Sequence, residues 1–304
     1  MTSSAAHPIF GGHEKFTFRN GWLEKGVLGI TEDSTLFQQE DALVKLGVGK
    51  NMVRSIRHWC LAAGLLEVNE DLPASLQLTN LAKCLFIEKW DPFFEDVTTL
   101  WLIHANLATN IVRCKAWQWV FSFASSEFSK IDMFQHFVNQ ASLENLKVTT
   151  KVLESELDCI LRTYISIRPK SGRHYEESYD SPLIDLDLVR AAGDDSRIYH
   201  FNIGPKPTLP IEVVCYALIR YISTHGQNRQ TFSVEECRLG VDSPGQIFKI
   251  DENSMIDYME QLPDITDGRI GLQEAGGVNQ LTWDLSKVEA ESLSLKVMAS
   301  YYGR

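Results

Sequence analysis

The segment that most constrains the fold is a pair of predicted helices joined by a glycine turn, between residues 39 and 64. The first helix, "QEDALVKL", ends at Gly47, and the second, "KNMVRSIRHWCLAAG", ends with Gly64 as its C-cap. On a 100° wheel, one side of the second helix carries apolar side chains: Met52, Val53, Ile56, Trp59, Cys60 and Ala63. The opposite side carries polar and basic side chains, joined near the C-terminus by Leu61: Lys50, Asn51, Arg54, Arg57 and His58. This arrangement is typical of a helix-turn-helix.

The residues that follow extend this pattern to a winged helix. "LLEV" and "LQL" are predicted strands around the loop "NEDLPAS", and "TNLAKCLF" is predicted to be a helix capped by its threonine. Glu67, Glu70 and Asp71 in the predicted wing would repel phosphates, so DNA recognition is expected mainly from the helix. Two alternatives stay open: an ordinary helical hairpin with a solvated basic face, and a winged helix that binds protein instead of DNA.

The middle of the chain is predicted to be helical up to residue 165, followed by a loop of basic and aromatic residues. Arg168, Lys170 and Arg173 alternate there with tyrosines, a composition that suits single-stranded or distorted DNA. A solvated connector between domains is the alternative. Beyond it, "LIDLDLV" and "RIYHFNI" alternate like the two strands of a hairpin.

The C-terminal region is predicted to repeat the order of helices and hairpin, with the opposite charge. Residues 176–304 hold 21 acidic and 11 basic side chains, within a chain of net charge −11. The candidate recognition helix carries four of these acids and cannot face phosphates: Asp251, Glu252, Asp257 and Glu260. We therefore expect this second winged helix to be an interaction or dimerisation module.

These patterns together predict a mainly α protein with small β-hairpins, in which two winged helix-turn-helix domains flank a helical middle region. The expected parts are an N-terminal strap plus winged helix (1–90), a helical middle (91–165), a basic and aromatic loop with a hairpin (166–205), and the acidic second winged helix (206–304). A cytoplasmic location is expected, because the chain shows no signal sequence, no apolar run near 18 residues and no C-x-x-C among six cysteines.

The best candidate for reactive chemistry is the opening stretch "FGGHEKFTFRNGWLEKG", Phe10–Gly26. Its paired glycines would let the backbone approach a phosphate closely. His13 or Glu14 could bind a metal or act as a base, and Lys15 and Arg19 could neutralise a scissile phosphate. The alternative is a structural strap, in which aromatic side chains fix the N-terminus onto the winged helix and the charges are merely solvated.

The opening stretch, "DALVKLGVGKNMVRSIRHWCLAAGLLE", "DSPL" and "GPKPTLP" resemble a bacterial family of domains of unknown function. That family is encoded beside phosphoadenosine-phosphosulfate-reductase-like proteins and includes the DNA-nicking B component of the Ssp DNA-phosphorothioation defence system. The resemblance spans most of the chain and is dense over residues 10–67.

The resemblance implies a DNA-binding protein of anti-phage defence that nicks DNA to prepare a site for sulfur. Its implied partners are DNA, a cysteine desulfurase, an ATPase and a reductase-like sulfur-transfer enzyme, and a homodimer is a further possibility. Nicking needs a metal-bound water or a covalent nucleophile, so Mg²⁺ or Mn²⁺ is a candidate cofactor. The sequence carries no HNH pattern, no clean P-D-x(n)-[DE]-x-K and no paired histidines of a rolling-circle nickase. A non-enzymatic winged-helix adaptor or regulator is the alternative function.

Overall fold

The computed structural model describes residues 7–166, 181–193, 197–227, 229–275 and 277–303. The chain forms two compact units, Met1–Phe201 and Asn202–Arg304. Most of the described residues are helical and the sheets are small and antiparallel, so the predicted mainly α class with small hairpins is confirmed. Arg168, Lys170 and Arg173 lie outside the described residues.

The first unit begins with three helices, a two-stranded hairpin and a short fourth helix. They are α1 (Trp22–Glu32), α2 (Ala42–Leu46), α3 (Lys50–Ala62), β1 (Leu66–Val68), β2 (Leu76–Leu78) and α4 (Asn80–Ala82). Gly47 ends α2 with a left-handed φ of 65°, and the Thr79 hydroxyl caps α4 by accepting the Ala82 amide at 3.2 Å. The hairpin is also tied to the segment after α1, because Leu76 N donates to Ser34 O at 2.8 Å.

Four further helices and a three-stranded sheet complete the first unit. They are α5 (Val97–Thr109), α6 (Lys115–Phe121), β3 (Glu127–Ser129), α7 (Lys130–Leu143), α8 (Thr150–Tyr164), β4 (Val189–Ala191) and β5 (Ile198–Phe201). The strands run in the order β3-β5-β4. Helix α5 is buried on nearly every side, and inside it the His104 imidazole lies 2.7 Å from the Tyr164 hydroxyl. His104 is therefore a satisfied core histidine.

The prediction that "LIDLDLV" is a strand is wrong over most of the length of this segment. Pro182–Leu186 is a 3₁₀ helix, and the strand begins only at Val189. Pro182 at the first helical position presets the backbone φ. Leu183 and Leu186, three residues apart, then share the buried face of the turn. The leucine spacing fits a 3₁₀ turn as well as a strand, so local alternation could not distinguish them.

The second unit contains a β-hairpin whose second strand also pairs with a third strand, which precedes the central helices in the chain. Its elements are α9 (Ile211–His225), β6 (Thr231–Ser233), α10 (Val234–Leu239), α11 (Pro244–Phe248), α12 (Glu252–Ile265), β7 (Ile270–Ala275), β8 (Val278–Trp283) and α13 (Lys287–Tyr301). The strand order is β6-β8-β7. Capping boxes at Ser233 and Ser286 begin α10 and α13.

Helix α12 presents the acidic face that its sequence predicted. Glu252, Asp257 and Glu260 are exposed, whereas Met255, Met259 and Leu262 are buried against the rest of the unit. None of the helices in the described ranges is long and apolar enough to cross a membrane.

Candidate nucleic-acid interface

The opening stretch folds into a tight loop with an unusual backbone. Glu14 N donates to Gly11 O at 3.0 Å, and Phe16 N donates to His13 O at 2.8 Å. Between Gly11 and Lys15, three residues adopt positive φ: Gly11 at 74°, Glu14 at 50° and Lys15 at 67°. Left-handed backbone at two non-glycine residues is costly and persists only where the surroundings hold it. The contacts of His13 provide that restraint.

The His13 side chain points into the protein and is fully buried. Its Nε2 lies 3.3 Å from the Oε1 of Glu156, a buried carboxylate on α8. The same Oε1 accepts the Gly11 amide at 2.5 Å. One carboxylate of α8 therefore holds both the beginning of the loop and its histidine.

Two effects act on the charge of His13 in opposite directions. Burial disfavours the imidazolium, but the Cys159 sulfur and the Glu156 carboxylate favour it and raise the pKa of His13 to about 10. The backbone opposes protonation, because Lys15 N donates to Nδ1 at 3.0 Å and this bond needs a lone pair. A pKa of about 10 would protonate the ring at neutral pH, whereas a second N–H would point at the Lys15 amide. We follow the hydrogen-bond geometry and take the neutral ring, with its proton on Nε2 facing Glu156.

The loop is fastened to α3 on one side and to α8 on the other. Ser55 Oγ on α3 donates to His13 O at 3.0 Å. From α8, Arg162 donates to Lys15 O at 2.8 Å, and the Cys159 sulfur lies 3.4 Å from Phe16 O. The opening stretch thus joins the predicted helix-turn-helix to the helical middle.

The aromatic residues of the stretch behave as the strap alternative predicted. Phe18 and Trp22 are buried, and the Arg19 guanidinium lies 5.6 Å from the Phe16 ring centroid and 5.4 Å from that of Trp22. Arg19 is only partly exposed in this arrangement. Glu14 and Lys15 are the charged groups of the loop that reach solvent, Glu14 partly and Lys15 fully.

The outer face of α3 is narrower than the wheel predicted. Lys50, Asn51 and Arg54 are exposed and Arg57 is half-buried. The prediction that His58 lies on this face is wrong, because its side chain is only 4% exposed; Leu61 is buried as well. A helical wheel describes one helix, and here two other segments, the opening loop and the loop after α5, cover its C-terminal half.

His58 is packed against the backbone of Gly12. A Cβ on Gly12 would lie 2.4 Å from the His58 Nδ1, so this position has no room for a side chain. The second glycine of the pair therefore makes space for an imidazole, where the sequence analysis expected close approach to a phosphate. Burial, followed by nearby positive charges that include Arg113 and Arg57, lowers the pKa of His58 to about 3. The His58 ring is neutral at physiological pH.

Three residues that shape this region were not identified as candidates from the sequence. Glu156 lies in an ordinary amphipathic helix, and Asn110 and Arg113 lie in the short connection between α5 and α6. Their partners are more than 40 residues away along the chain, so no local pattern could indicate them. Within the described residues, no group of three or more His, Cys, Asp or Glu side chains is arranged to hold a metal ion.

Comparison with known proteins places the whole chain in one family. Residues 10–302 match the family model DUF4007, described as a protein of unknown function. The chain belongs to the DUF4007 family. No curated protein sequence matches it.

Two solved structures resemble this DUF4007 protein closely. One is a magnesium ion-bound SspB crystal structure, with 26% sequence identity and a TM-score of 0.85. The other is an SspB crystal structure, with 27% identity and a TM-score of 0.83. Each match covers 98% of this chain and 89% of the SspB chain. The likeness to SspB therefore extends across both units.

The packing of Gly12 against His58 predicts that Gly12→Ala lowers stability. The added methyl group overlaps the imidazole, and overpacking of this kind costs about 1–3 kcal/mol. Gly49→Ala is the matched control, because a Cβ there meets no atom within 4 Å. Differential scanning calorimetry of the two variants makes the comparison, and equal melting temperatures would contradict the packing described.

The neutral, buried His58 also predicts a pH dependence of stability. Its pKa in the folded protein, about 3, is below its usual 6.5, so between these values the unfolded chain binds a proton that the folded chain does not. The free energy of unfolding should therefore fall by about 1.4 kcal/mol per pH unit below about pH 6.5 from this group. In His58→Phe, urea unfolding at pH 7 and pH 5 should show about 2 kcal/mol less loss than in the wild type. His200→Phe is the control, and parallel curves for wild type and His58→Phe would refute the assignment.

Proposed function

We propose that this protein is a DNA-binding component of an Ssp-type DNA phosphorothioation system. The observation that carries the proposal is the likeness to SspB over 98% of the chain, with a TM-score of 0.85. Under this proposal its partners are DNA and the desulfurase, ATPase and reductase-like components that the family resemblance implies. The described residues suggest how the two units divide this work.

Each unit contains, in this proposal, a winged helix-turn-helix. In the first unit, α2 and α3 are joined by a glycine turn and followed by the β1-β2 hairpin. The Leu76–Ser34 hydrogen bond ties the hairpin to the segment after α1, in the position of the third strand of a winged helix. In the second unit, β6 precedes α10–α12 and pairs with β8 of the β7-β8 hairpin.

The exposed end of α3 is the surface we assign to duplex DNA. Lys50 and Arg54 are four residues apart and both are exposed, so they form a basic stripe on one side of the helix. Arg54 lies 3.5 Å from Glu14, but its side chain is 58% exposed and that of Glu14 31%. An ion pair this exposed is weak, and a DNA phosphate can replace the carboxylate at little cost.

The acidic face of α12 is the surface we assign to protein partners. Its exposed carboxylates would repel DNA, while they complement a basic surface on another protein or on a second copy of this chain. The two units would then serve different ligands, DNA for the first and protein for the second.

Nicking is the finer part of the proposal, and the loop geometry limits which residues can take part. His13 is buried, its Nδ1 accepts the Lys15 amide and its Nε2 lies 3.3 Å from Glu156, so we assign it to positioning the loop. Glu14 and Lys15 can reach a phosphodiester, Glu14 as a base and Lys15 as a neutralising cation.

The residues of this loop do not fit a magnesium ion. Mg²⁺ prefers several oxygen ligands in octahedral geometry. Glu14 offers one accessible carboxylate, which faces Arg54, and the Glu156 carboxylate is buried against His13 and Gly11. The burial of His13 and this lack of fit favour the second candidate function, a non-enzymatic adaptor that binds DNA and recruits the modification enzymes.

The assignment of α3 predicts the effect of Lys50→Gln combined with Arg54→Gln. Losing two phosphate contacts should weaken duplex binding and reduce the slope of log Kd against log salt by roughly two units or less. Fluorescence anisotropy of a labelled duplex across a salt series measures both. Lys147→Gln, which removes an exposed lysine from the loop before α8, is the control. An unchanged slope in the folded double variant would remove α3 from the DNA interface.

The nicking proposal predicts that the wild type relaxes supercoiled plasmid in the presence of Mg²⁺ or Mn²⁺, and that Glu14→Gln abolishes relaxation with nearly unchanged duplex affinity. A general base contributes to the transition state and little to ground-state binding. Agarose gels report relaxation, and anisotropy reports affinity. Tight DNA binding without any relaxation by the wild type would reject nicking and establish the adaptor.

A further inference from the structure

Two arginines from different elements of the first unit meet beside the C-terminal half of α3. Arg57 is on α3, and Arg113 is in the loop between α5 and α6. Asn110 ties this loop to α3, because its Nδ2 donates to Ala62 O at 3.0 Å while its Oδ1 accepts the Arg113 amide at 3.0 Å. Arg113 therefore lies near the C-terminal end of α3, close enough to Arg57 for the two charges to act on each other.

Both guanidinium groups are half-buried, and neither forms an ion pair or a hydrogen bond with any residue in the described ranges. Burial lowers the pKa of Arg57, and burial followed by the charge of Arg57 lowers the pKa of Arg113. Two adjacent cations that are partly removed from water repel each other, and no acidic side chain in the described part of the chain pairs with either of them.

A third polar group next to this pair is also unsatisfied. His58 follows Arg57 on α3, is nearly fully buried, and has no hydrogen-bond partner on either ring nitrogen among the described residues. It is close enough to both arginines for their charges to disfavour its protonation. Buried polar atoms normally have a partner, so an unsatisfied imidazole beside two half-buried cations without an acidic partner indicates a missing ligand.

The missing ligand must be an anion with several acceptor oxygens. Each guanidinium presents a planar fork of donors that matches two oxygens of a phosphate, and a tetrahedral oxyanion can accept from two such forks at once. A bound anion would also cancel the repulsion between the cations. Lys50, Arg54 and Arg57 are spaced i, i+4, i+7 and share one side of α3, so the pair continues the basic stripe assigned to DNA.

We propose that Arg57 and Arg113 form a composite binding site for a phosphate oxyanion, which is a phosphodiester of the DNA backbone in the functional complex. Only this choice of source rests on the proposed function; the oxyanion site itself does not. Arg113 then extends the DNA-binding surface beyond the helix-turn-helix, and the neutral His58 imidazole is the neighbouring group with a free N–H to donate.

The first test measures oxyanion binding directly, on the full chain, with inorganic phosphate as the probe. Thermal unfolding is followed in phosphate and in chloride at equal ionic strength and pH. For the wild type, phosphate at about ten times its Kd should raise the melting temperature by about 3–6 °C more than for Arg113→Gln. In chloride, Arg113→Gln should be at least as stable as the wild type, because the variant no longer contains the repelling pair.

Lys147→Gln serves as the control and should keep the full response to phosphate, which separates the site from general salt effects. An Arg113→Gln variant that is less stable in chloride and responds to phosphate as the wild type does would show that Arg113 is structural. That result would overturn the proposal.

The second test identifies the source of the oxyanion by anisotropy with a labelled duplex. Arg57→Gln and Arg113→Gln should each weaken binding about tenfold and reduce the salt slope by about one unit. Loss of the phosphate response without any change in DNA affinity would support the site and assign it to a free oxyanion. Retained binding to DNA through Lys50 and Arg54, with no phosphate response in the wild type, would overturn the site and leave the proposed function standing.

Discussion

The buried carboxylate of Glu156 is the interaction on which the arrangement of the first unit depends. It accepts the Gly11 amide and faces His13 at 3.3 Å, so it holds the opening loop in its left-handed backbone. A buried carboxylate without partners would cost several kcal/mol. The loop and α8 therefore stabilise each other, and the loop in turn covers the C-terminal half of α3 through Ser55 and His58.

This arrangement explains why only part of a basic helix faces solvent. The opening loop covers His58, and the loop held by Asn110 approaches from the other side. The N-terminal half of α3 keeps Lys50 and Arg54 exposed, while Arg57 is drawn into a partly buried position beside Arg113. A partly buried cation interacts more strongly with an anion than a fully solvated one, because less water screens it.

The likeness to SspB and the charge of the two units support the same division of labour. The first unit exposes cations on α3, whereas the second exposes carboxylates on α12. Related element orders with opposite surface charge suit different ligands, since the fold positions a helix and the side chains decide what it binds. Membership of the DUF4007 family covers both units, because the family model matches residues 10–302.

The sequence by itself determined those helices whose positions are indicated by residues close together in the chain. Glycine turns, the Thr79 cap and the apolar periodicity were enough to place α2, α3, α4 and the acidic α12, because each depends on residues within one or two turns. The leucines after Pro182 were ambiguous even as a local signal, since leucines at this spacing can be buried by a 3₁₀ turn or by a strand.

Only the tertiary structure decided what those elements expose. Gly12 makes room for His58, Glu156 secures a loop 145 residues earlier in the chain, and Asn110 brings Arg113 to α3. Burial and electrostatic pairing are set by whichever segments meet after folding, and separation along the chain carries no information about them. The sequence could therefore indicate that α3 is basic on one side, but the folded chain determined which of those side chains remain available to an anion.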